Sequence, residues 1–272
     1  MKISLSDSIS VSTRIVVLSL TVVFSFTGCS NDAAKKLSHS EPVQDKWSYQ
    51  GETAPEFWEE IEKGSDCGGN RQSPINIIDF YAVQSDSPVD LGIHYASDTH
   101  INKVVNSGYT VQFDFMPGDS ILLNGEVYRL IQIHFHEHAE HLISGVVYPI
   151  EIHLVHLNKA GELAVLAVLG KEGAESQIIE LLESFLPLKM GESKQIDVQC
   201  DLNQLLPADR TFYSYSGSLT TPPCTEGVHW VVFKNPIILS LDEVSTLKSN
   251  MPLNNYRSEQ PLNGRVVTVN PL

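Results

Sequence analysis

Two short stretches constrain this chain more than any other feature: Gln132-Ile133-His134-Phe135-His136 and Glu151-Ile152-His153-Leu154-Val155. Both are apolar and rich in β-branched or aromatic residues, so both read as strands. Along a strand, side chains two apart share a face. His134 and His136 therefore point the same way with Gln132 before them, and Glu151, His153 and Val155 share a face of the second stretch. The residues between can return the chain antiparallel, which lets three imidazoles converge on one point. Three neutral nitrogen donors with a fourth position open is the arrangement of catalytic zinc. Gln132 and Glu151 can each accept the other ring N–H of a liganding histidine and so fix its tautomer. A histidine bonded only to backbone would account for one of these residues, but not for His-x-His plus a third His beside a carboxylate. Spacing alone leaves the ligand set open, because His138 continues the first alternation and His156 lies three beyond His153.

The chain has 272 residues, 42% of them hydrophobic, which is enough for a sizeable core. Its 18 basic and 33 acidic residues give a net charge of −15, which disfavours nucleic acid and anionic membrane surfaces as partners. Met1 to Arg14 is polar, and Ile15 to Phe26 is a continuous apolar run. That run suits an export signal and is short for a spanning helix, which needs about 20 residues. Phe26-Thr27-Gly28-Cys29 resembles a bacterial lipoprotein cleavage box, with Phe where Leu is usual. The expected organisation is a signal peptide over 1–28, a polar tether over 29–46 with Cys29 lipidated, and one folded domain over 47–272. Such a chain is exported to the periplasm and meets a membrane only through its lipid. Cys67 and Cys224 lie in turn-rich contexts of an exported chain, where a disulfide can persist. Cys200 is then left over, and a free Cys is ordinarily buried and inert.

Trp47-Ser48-Tyr49 opens the domain with aromatic anchors, and Ala54 to Lys63 has the spacing of a short helix. Strands are predicted at Leu91–Tyr95, Lys103–Asn106, Tyr109–Phe115, Ser120–Leu123, Glu126–His136 and Leu163–Leu169. Asn124-Gly125 is the strongest hairpin signal. Glu175 to Phe185 shows helical spacing, and Ser240-Leu241-Asp242-Glu243 is a capping box before a helix through about Lys248. Strands do not alternate regularly with helices, so a doubly wound fold is disfavoured. The expected class is mainly β (α+β), one domain around a large, mostly antiparallel twisted sheet with a few short peripheral helices.

Ser218-Leu219-Thr220-Thr221-Pro222-Pro223-Cys224 is a rigid loop able to present a hydroxyl. Glu140-His141 follows the first histidine strand. A carboxylate that takes the Thr220 proton forces the Thr220 oxygen to act as an acceptor toward a nucleophile on zinc. Taken together, these residues resemble the α-class carbonic anhydrases, bacterial branch. The motifs are W-S-Y at Trp47, Q-S-P-I-N-I at Gln72, Q-x-H-F-H at Gln132, E-H at Glu140, E-x-H-L-V-H at Glu151, G-S-L-T-T-P-P-C at Gly217, V-x-W at Val228 and N-Y-R at Asn255. They run in order through essentially all of 47–272.

The resemblance implies zinc held by His134, His136 and His153, with Gln132, Glu151 and the Asn255 carbonyl behind them. It implies Thr220 as gatekeeper with Glu140 as its partner. Val155, Val165, Leu219, Val228 and Trp230 would hold carbon dioxide, with Thr221 on the polar side beside Tyr49, Ser107 and Gln112. It implies a Cys67–Cys224 disulfide and cis peptides before Pro74 and Pro223. The implied activity is that of a lyase (carbonate dehydratase): reversible hydration of carbon dioxide to bicarbonate and a proton by zinc-bound hydroxide. Sulfonamides and small anions are the implied inhibitors, and self-association into a homodimer stays open. Tyr109 stands where many members carry the histidine that shuttles protons, and Glu137-His138-Ala139 replaces the more usual Thr-Pro-Ser. The rival readings are a non-catalytic zinc-binding lipoprotein, which needs no Thr220–Glu140 pair, and a metalloprotease, whose H-E-x-x-H or H-x-x-E-H motif does not occur.

Overall fold

A computed structural model describes residues 47–84 and 88–272. The export segment, tether and Cys29 expected over 1–46 lie outside the described residues. The first half of the domain contributes β1 (Asn76–Ile77), β2 (Val83–Gln84), β3 (Leu91–His94), β4 (Thr99–Asn106), β5 (Val111–Phe115), β6 (Ser120–Leu123), β7 (Glu126–His136) and β8 (Leu142–Ile143). The second half adds β9 (Ile150–Leu157), β10 (Leu163–Glu172), β11 (Ser193–Cys200), β12 (Phe212–Ser218), β13 (Glu226–Phe233), β14 (Ile237–Leu239) and β15 (Thr268–Asn270). Among the described residues the α-helices are α1 (Trp58–Ile61), α2 (Gln177–Glu183) and α3 (Leu241–Ser249).

One large sheet runs β11-β4-β5-β7-β9-β10-β13-β12-β15-β2, with β14 added beside β10 and the β3–β6 pair joined to β7. Most pairs are antiparallel, and the exceptions in this sheet are β10–β13, β10–β14 and β15–β2. The expected mainly-β architecture holds, with parallel pairing at its centre that makes the sheet mixed. The Asn124-Gly125 turn joins β6 to β7 as a two-residue hairpin, with Leu123 opposite Glu126. Both turn residues have positive φ, 50° and 83°, which is the conformation such a turn demands.

Alternation sorts the central strands into two faces. Ile133, Phe135, Ile152, Leu154, Leu166, Val168, Val231 and Phe233 belong to the main core. On the opposite face Val155, Val165, Ala167, Val228, Trp230 and Val232 form a second cluster with Tyr213 and Tyr215. β9 and β10 are therefore buried on both faces and read as continuous apolar runs rather than alternating ones. Each large side chain buried in this way contributes about 1.5–3 kcal/mol. A one-residue slip of β7 against β9 would exchange the histidines for Ile133 and Phe135, so burial on both faces fixes the register.

Several boundaries differ from the sequence expectation. The helix expected over 54–63 is a 3-10 turn, Pro55–Phe57, followed by the single turn α1, and a further 3-10 turn, Gly51–Thr53, precedes them. Trp58 causes this: its indole N–H is shared between the carbonyls of Ser48 and Thr53, so the entry segment wraps around the ring. β4 begins at Thr99 rather than Lys103, and β5 begins at Val111 because Ser107–Thr110 forms a turn closed by the Ser107 hydroxyl. The helix expected over 175–185 is trimmed to α2, and β10 runs on to Glu172. The Ser240–Glu243 capping box is formed in full at the start of α3. Ser73–Pro74 and Pro222–Pro223 are cis, as are Leu186–Pro187 and Glu137–His138.

Candidate metal centre and active site

The register of β7 and β9 sets His134 opposite His153 and His136 opposite Glu151. One nitrogen of each ring has a fixed acceptor. His134 Nδ1 donates to Gln132 Oε1 at 2.9 Å, His136 Nδ1 to the Asn255 carbonyl at 2.6 Å, and His153 Nε2 to Glu151 Oε1 at 2.7 Å. The proton on that side leaves a lone pair on the other nitrogen of each ring. These three lone-pair nitrogens face one another. His153 Nδ1 and His134 Nε2 are 3.3 Å apart, and His136 Nε2 is buried without a hydrogen-bond partner among the described residues. Two acceptors at that distance do not bond to each other. The spacing matches the edge of a tetrahedron of nitrogens about 2.05 Å from a zinc ion, about 3.3 Å. The donor set therefore fits zinc. Burial holds all three imidazoles below their usual pKa, His136 at about 4, so they are neutral ligands at pH 7.

The competing histidines are elsewhere. His156 falls on the opposite face of β9 from His153, and its Nε2 is 2.7 Å from the Tyr95 hydroxyl. His138 lies past the end of β7, its ring tilted against that of Tyr256 with centroids 3.8 Å apart and its Nδ1 on the Ala139 carbonyl. Glu137 pairs with Lys248 at 2.7 Å. A second grouping, His141, Glu151 and His153, is a hydrogen-bonded triad rather than a metal cage. Glu151 accepts from the His141 backbone N–H and from His141 Nδ1, both at 2.7 Å, as well as from His153. Burial opposes its charge, but the two histidines outweigh burial and hold Glu151 well below the usual carboxylate range.

Glu140 is fully buried. Its Oε1 accepts the Arg257 backbone N–H at 2.9 Å, and its Oε2 lies 3.6 Å from His136 Nε2. Burial pushes it up to about 7, with the Thr220 hydroxyl among the groups that pull the other way. Thr220 sits in a loop closed by Leu219 N–H on the Thr225 carbonyl and Cys224 N–H on the Thr221 carbonyl. Cys67 and Cys224 form a disulfide, and Cys200 is buried and free among the described residues. At Gly217 a Cβ would meet Ser73 Oγ at 2.1 Å, so only glycine lets β12 approach the Ser73 segment. Val155, Val165, Val228 and Trp230 cluster on the histidine face, and Leu219 packs on them half-buried. The Trp230 indole N–H donates to the Ser218 carbonyl.

Tyr109 is half-buried, stacked 3.9 Å from the Trp47 ring, and its carbonyl accepts from Asn255 Nδ2. Tyr49, whose pKa burial raises, lies within electrostatic reach of Glu140 and Tyr109. His141 is completely buried, with Nε2 2.7 Å from the Tyr215 hydroxyl. Arg257 was not singled out from the sequence beyond its place in N-Y-R. Its guanidinium is buried, with bonds to Gln72 Oε1, the Ser73 carbonyl and the Cys67 carbonyl. It ties the disulfide and the cis-Pro74 segment to Glu140.

The chain matches the family described as eukaryotic-type carbonic anhydrase over residues 53–271. Carbonic anhydrase from Klebsiella pneumoniae is 41% identical over 225 residues, covering 81% of this chain and 89% of that protein. Carbonic anhydrase from Nostoc sp. is 36% identical over 248 residues, covering 89% and 90%. Among solved structures, α-carbonic anhydrase from Thermovibrio ammonificans in complex with the inhibitor sulfanilamide superposes with a TM-score of 0.77 at 38% identity, covering 82% of this chain and 98% of that one. The Photobacterium profundum α-carbonic anhydrase gives a TM-score of 0.74 at 34% identity, covering 82% and 100%.

Proposed function

The chain belongs to the eukaryotic-type (α) carbonic anhydrase family, and from that premise we propose how its own residues carry the reaction. The protein is a carbonic anhydrase that hydrates carbon dioxide reversibly to bicarbonate and a proton, with zinc as cofactor. The observation that carries the residue-level reading is the convergence of three imidazole nitrogens whose partner nitrogens are all held by fixed acceptors. His134 Nε2, His136 Nε2 and His153 Nδ1 hold the ion. Zinc, when bound, acts as a Lewis acid that brings a water ligand to a pKa of about 7, the value established for carbonic anhydrases, so that hydroxide is available at neutral pH.

Gln132, Asn255 and Glu151 keep each ring in the tautomer that turns its lone pair inward. Thr220 directs its hydroxyl proton to Glu140, so its oxygen accepts a hydrogen bond and aims the attacking oxygen's lone pair. Val155, Val165, Leu219, Val228 and Trp230 offer carbon dioxide an apolar wall that gives water no partner, with Thr221 at the polar edge. Thr220→Val keeps the volume and removes the hydroxyl. It should lower kcat/KM by about 10²–10³, the cost of deleting one preorganised polar contact to the reacting group, with zinc content unchanged. An unchanged kcat/KM would remove Thr220 from the mechanism. A zinc-storage module on the same fold would need neither this pair nor the wall.

The proton released in each cycle must leave. A shuttle works best when its pKa is near that of its donor, and free histidine titrates near 6.5 where free tyrosine titrates near 10. With Tyr109 at the shuttle position and His141 buried, proton export limits turnover at low buffer. Imidazole should raise kcat and leave kcat/KM nearly unchanged, and Tyr109→His should raise kcat at low buffer and blunt that effect. A wild-type kcat independent of buffer concentration would contradict this.

The sequence over 1–46 supports export and periplasmic attachment through a lipid on Cys29. The Cys67–Cys224 disulfide supports an oxidising compartment.

A further inference from the structure

The stretch Ile78-Asp79-Phe80-Tyr81-Ala82-Val83 is apolar but for Asp79, and the fold turns that composition outward. Ile77 is buried in the second core cluster, while Ile78 after it is exposed. Asp79–Tyr81 then forms a 3-10 turn with no buried residue. Asp79 fixes the turn to the domain. Its Oδ1 accepts from the Tyr213 hydroxyl and from Lys234 Nζ, and its backbone N–H donates to Ser144 Oγ. With Asp79 held in this way, Phe80 and Tyr81 project into solvent, 88% and 74% exposed, with their rings edge to face at 5.4 Å. The chain next enters β2, which ends the large sheet and pairs there with β15. Val83 is exposed in β2, and Leu262 and Val266 are exposed in the segment before β15, while Val267 is buried in the second cluster.

Ile78, Tyr81, Val83, Leu262 and Val266 surround one cavity of about 180 Å3, and Phe80 stands beside it on Tyr81. Exposed apolar side chains scattered singly are ordinary, but several gathered in one place mark an interaction site. The charged groups of this patch already have partners. Asp79 pairs with Lys234 at 2.8 Å. The Arg265 side chain donates to the carbonyls of Leu262, Ser216, Gln72 and Pro261. What these residues offer a partner is therefore apolar surface and the tip of a tyrosine.

We propose that this patch docks the domain on a lipid bilayer, with Phe80 and Tyr81 entering the boundary between headgroups and acyl chains. The proposal rests on the reading of Cys29 as a lipid anchor and adds a second contact, where the sequence suggests the lipid alone. Shape and chemistry favour a bilayer over a protein. The two most exposed residues are neighbouring aromatics on one short turn, which suits insertion between headgroups better than contact with a flat surface. A tyrosine, with an apolar ring and a polar tip, suits the membrane–water boundary. The length of chain before the domain supplies the proximity. Residues 30–46 span at most about 60 Å at about 3.6 Å per residue, so a lipid on Cys29 keeps the domain within that distance of the bilayer. Docking is then intramolecular, with an effective concentration in the millimolar range, and a patch too weak to capture free vesicles is strong enough. Because the chain carries a net charge of −15, zwitterionic headgroups suit it better than anionic ones.

The test uses the mature, zinc-loaded lipoprotein reconstituted in phosphatidylcholine vesicles and hydroxyl-radical footprinting of exposed side chains. The reference is the same folded protein after proteolytic cleavage of residues 30–46 has released it. Phe80, Tyr81, Leu262 and Val266 should be modified about tenfold more slowly on the vesicle than after release, the ratio for a patch docked about nine-tenths of the time. Met116, exposed beyond β5 toward the other end of the sheet, should react equally in both forms. In the Phe80→Ser, Tyr81→Ser double variant, Leu262 and Val266 should lose that protection, with the hydration rate unchanged. Equal modification of the wild type before and after release, or protection of Leu262 and Val266 that survives the double variant, overturns the proposal. Protection that persists after release, together with a dimer in sedimentation velocity that the double variant dissociates, also overturns it and assigns the patch to a second copy of the chain. If mass spectrometry finds Cys29 without a lipid, the anchor reading fails by itself. The unanchored protein is then footprinted in excess phosphatidylcholine vesicles, where the same slowing supports the patch and its absence overturns it.

Discussion

Replacing His153 with alanine should strip the protein of most of its zinc and lower carbon dioxide hydration far more than any outer-partner variant. His153 supplies the one ligand from β9, and its Nδ1 stands 3.3 Å from His134 Nε2. Without it two nitrogens remain, both from β7, and two neutral donors do not close a tetrahedral site. Loss of an outer partner such as Gln132 or Glu151 typically costs about 10–100-fold in affinity or activity. His153→Ala should exceed the upper end of that range, and Gln132→Ala should fall inside it. Circular dichroism should remain native in form, because His153 sits on the site face and the main core is held by Ile152 and Leu154 beside it. His156→Ala and His138→Ala serve as controls and should keep stoichiometric metal. If either loses its zinc while His153→Ala keeps it, the ligand assignment is wrong.

The second large effect is on stability. Cys67 and Cys224 are 157 residues apart in sequence, so their bond closes most of the domain into one loop. In the chain-entropy account, a loop of that length is worth roughly 4–5 kcal/mol. For a domain of this size that corresponds to a fall in Tm of about 10–20 °C. The Cys67→Ala, Cys224→Ala double variant should show that fall by calorimetry. It should also lose activity at temperatures where it is still folded. Cys224 directly follows the Thr220–Pro223 loop and holds a positive φ of 55°, and the Cys67 carbonyl accepts from the Arg257 side chain. Freed from Cys67, the loop loses the anchor that keeps Thr220 beside Glu140. Peptide mapping without reduction should recover the Cys67–Cys224 pair with Cys200 alkylatable only after unfolding. A Tm within about 2 °C of wild type would show that the core, not the bond, fixes this end of the domain.

Much of this was legible where local chemistry and burial agree. Ser120–Leu123 and Glu126–His136 end where the sequence says they should, because an Asn-Gly pair sets the turn and one buried face enforces the period of two. The α3 capping box was legible for the same reason: its two hydrogen bonds are local. Ser193–Cys200 was not, because it is a largely exposed edge strand in which only Ile196, Val198 and Cys200 turn inward, while Ser193, Lys194 and Gln195 carry no apolar side chain to extend that alternation. The parallel pairing of β10 with β13 was also hidden, since the intervening chain crosses to the far edge at β11 before it returns. At the site, the ligand pattern was visible but the choice among His138, His153 and His156 needed the family resemblance. The faces of β9 supply the physical reason afterwards, since His156 points away from His153. Arg257 and His141 could not have been placed inside from their types, because charged and polar residues are seldom fully buried. Their burial comes from partners far apart in sequence: Cys67, Gln72 and Ser73 for Arg257, and Glu151 and Tyr215 for His141.

The central claim is that one zinc ion on His134, His136 and His153 gives this chain its carbon dioxide hydration. Stopped-flow hydration by the purified 47–272 domain, measured before and after removal of metal by a chelator and again on titration with zinc, tests it most directly. Activity should vanish with the metal and return in proportion to zinc, reaching its full value at one equivalent per chain. Hydration that survives complete removal of zinc, or that needs more than one equivalent to return, would contradict the account.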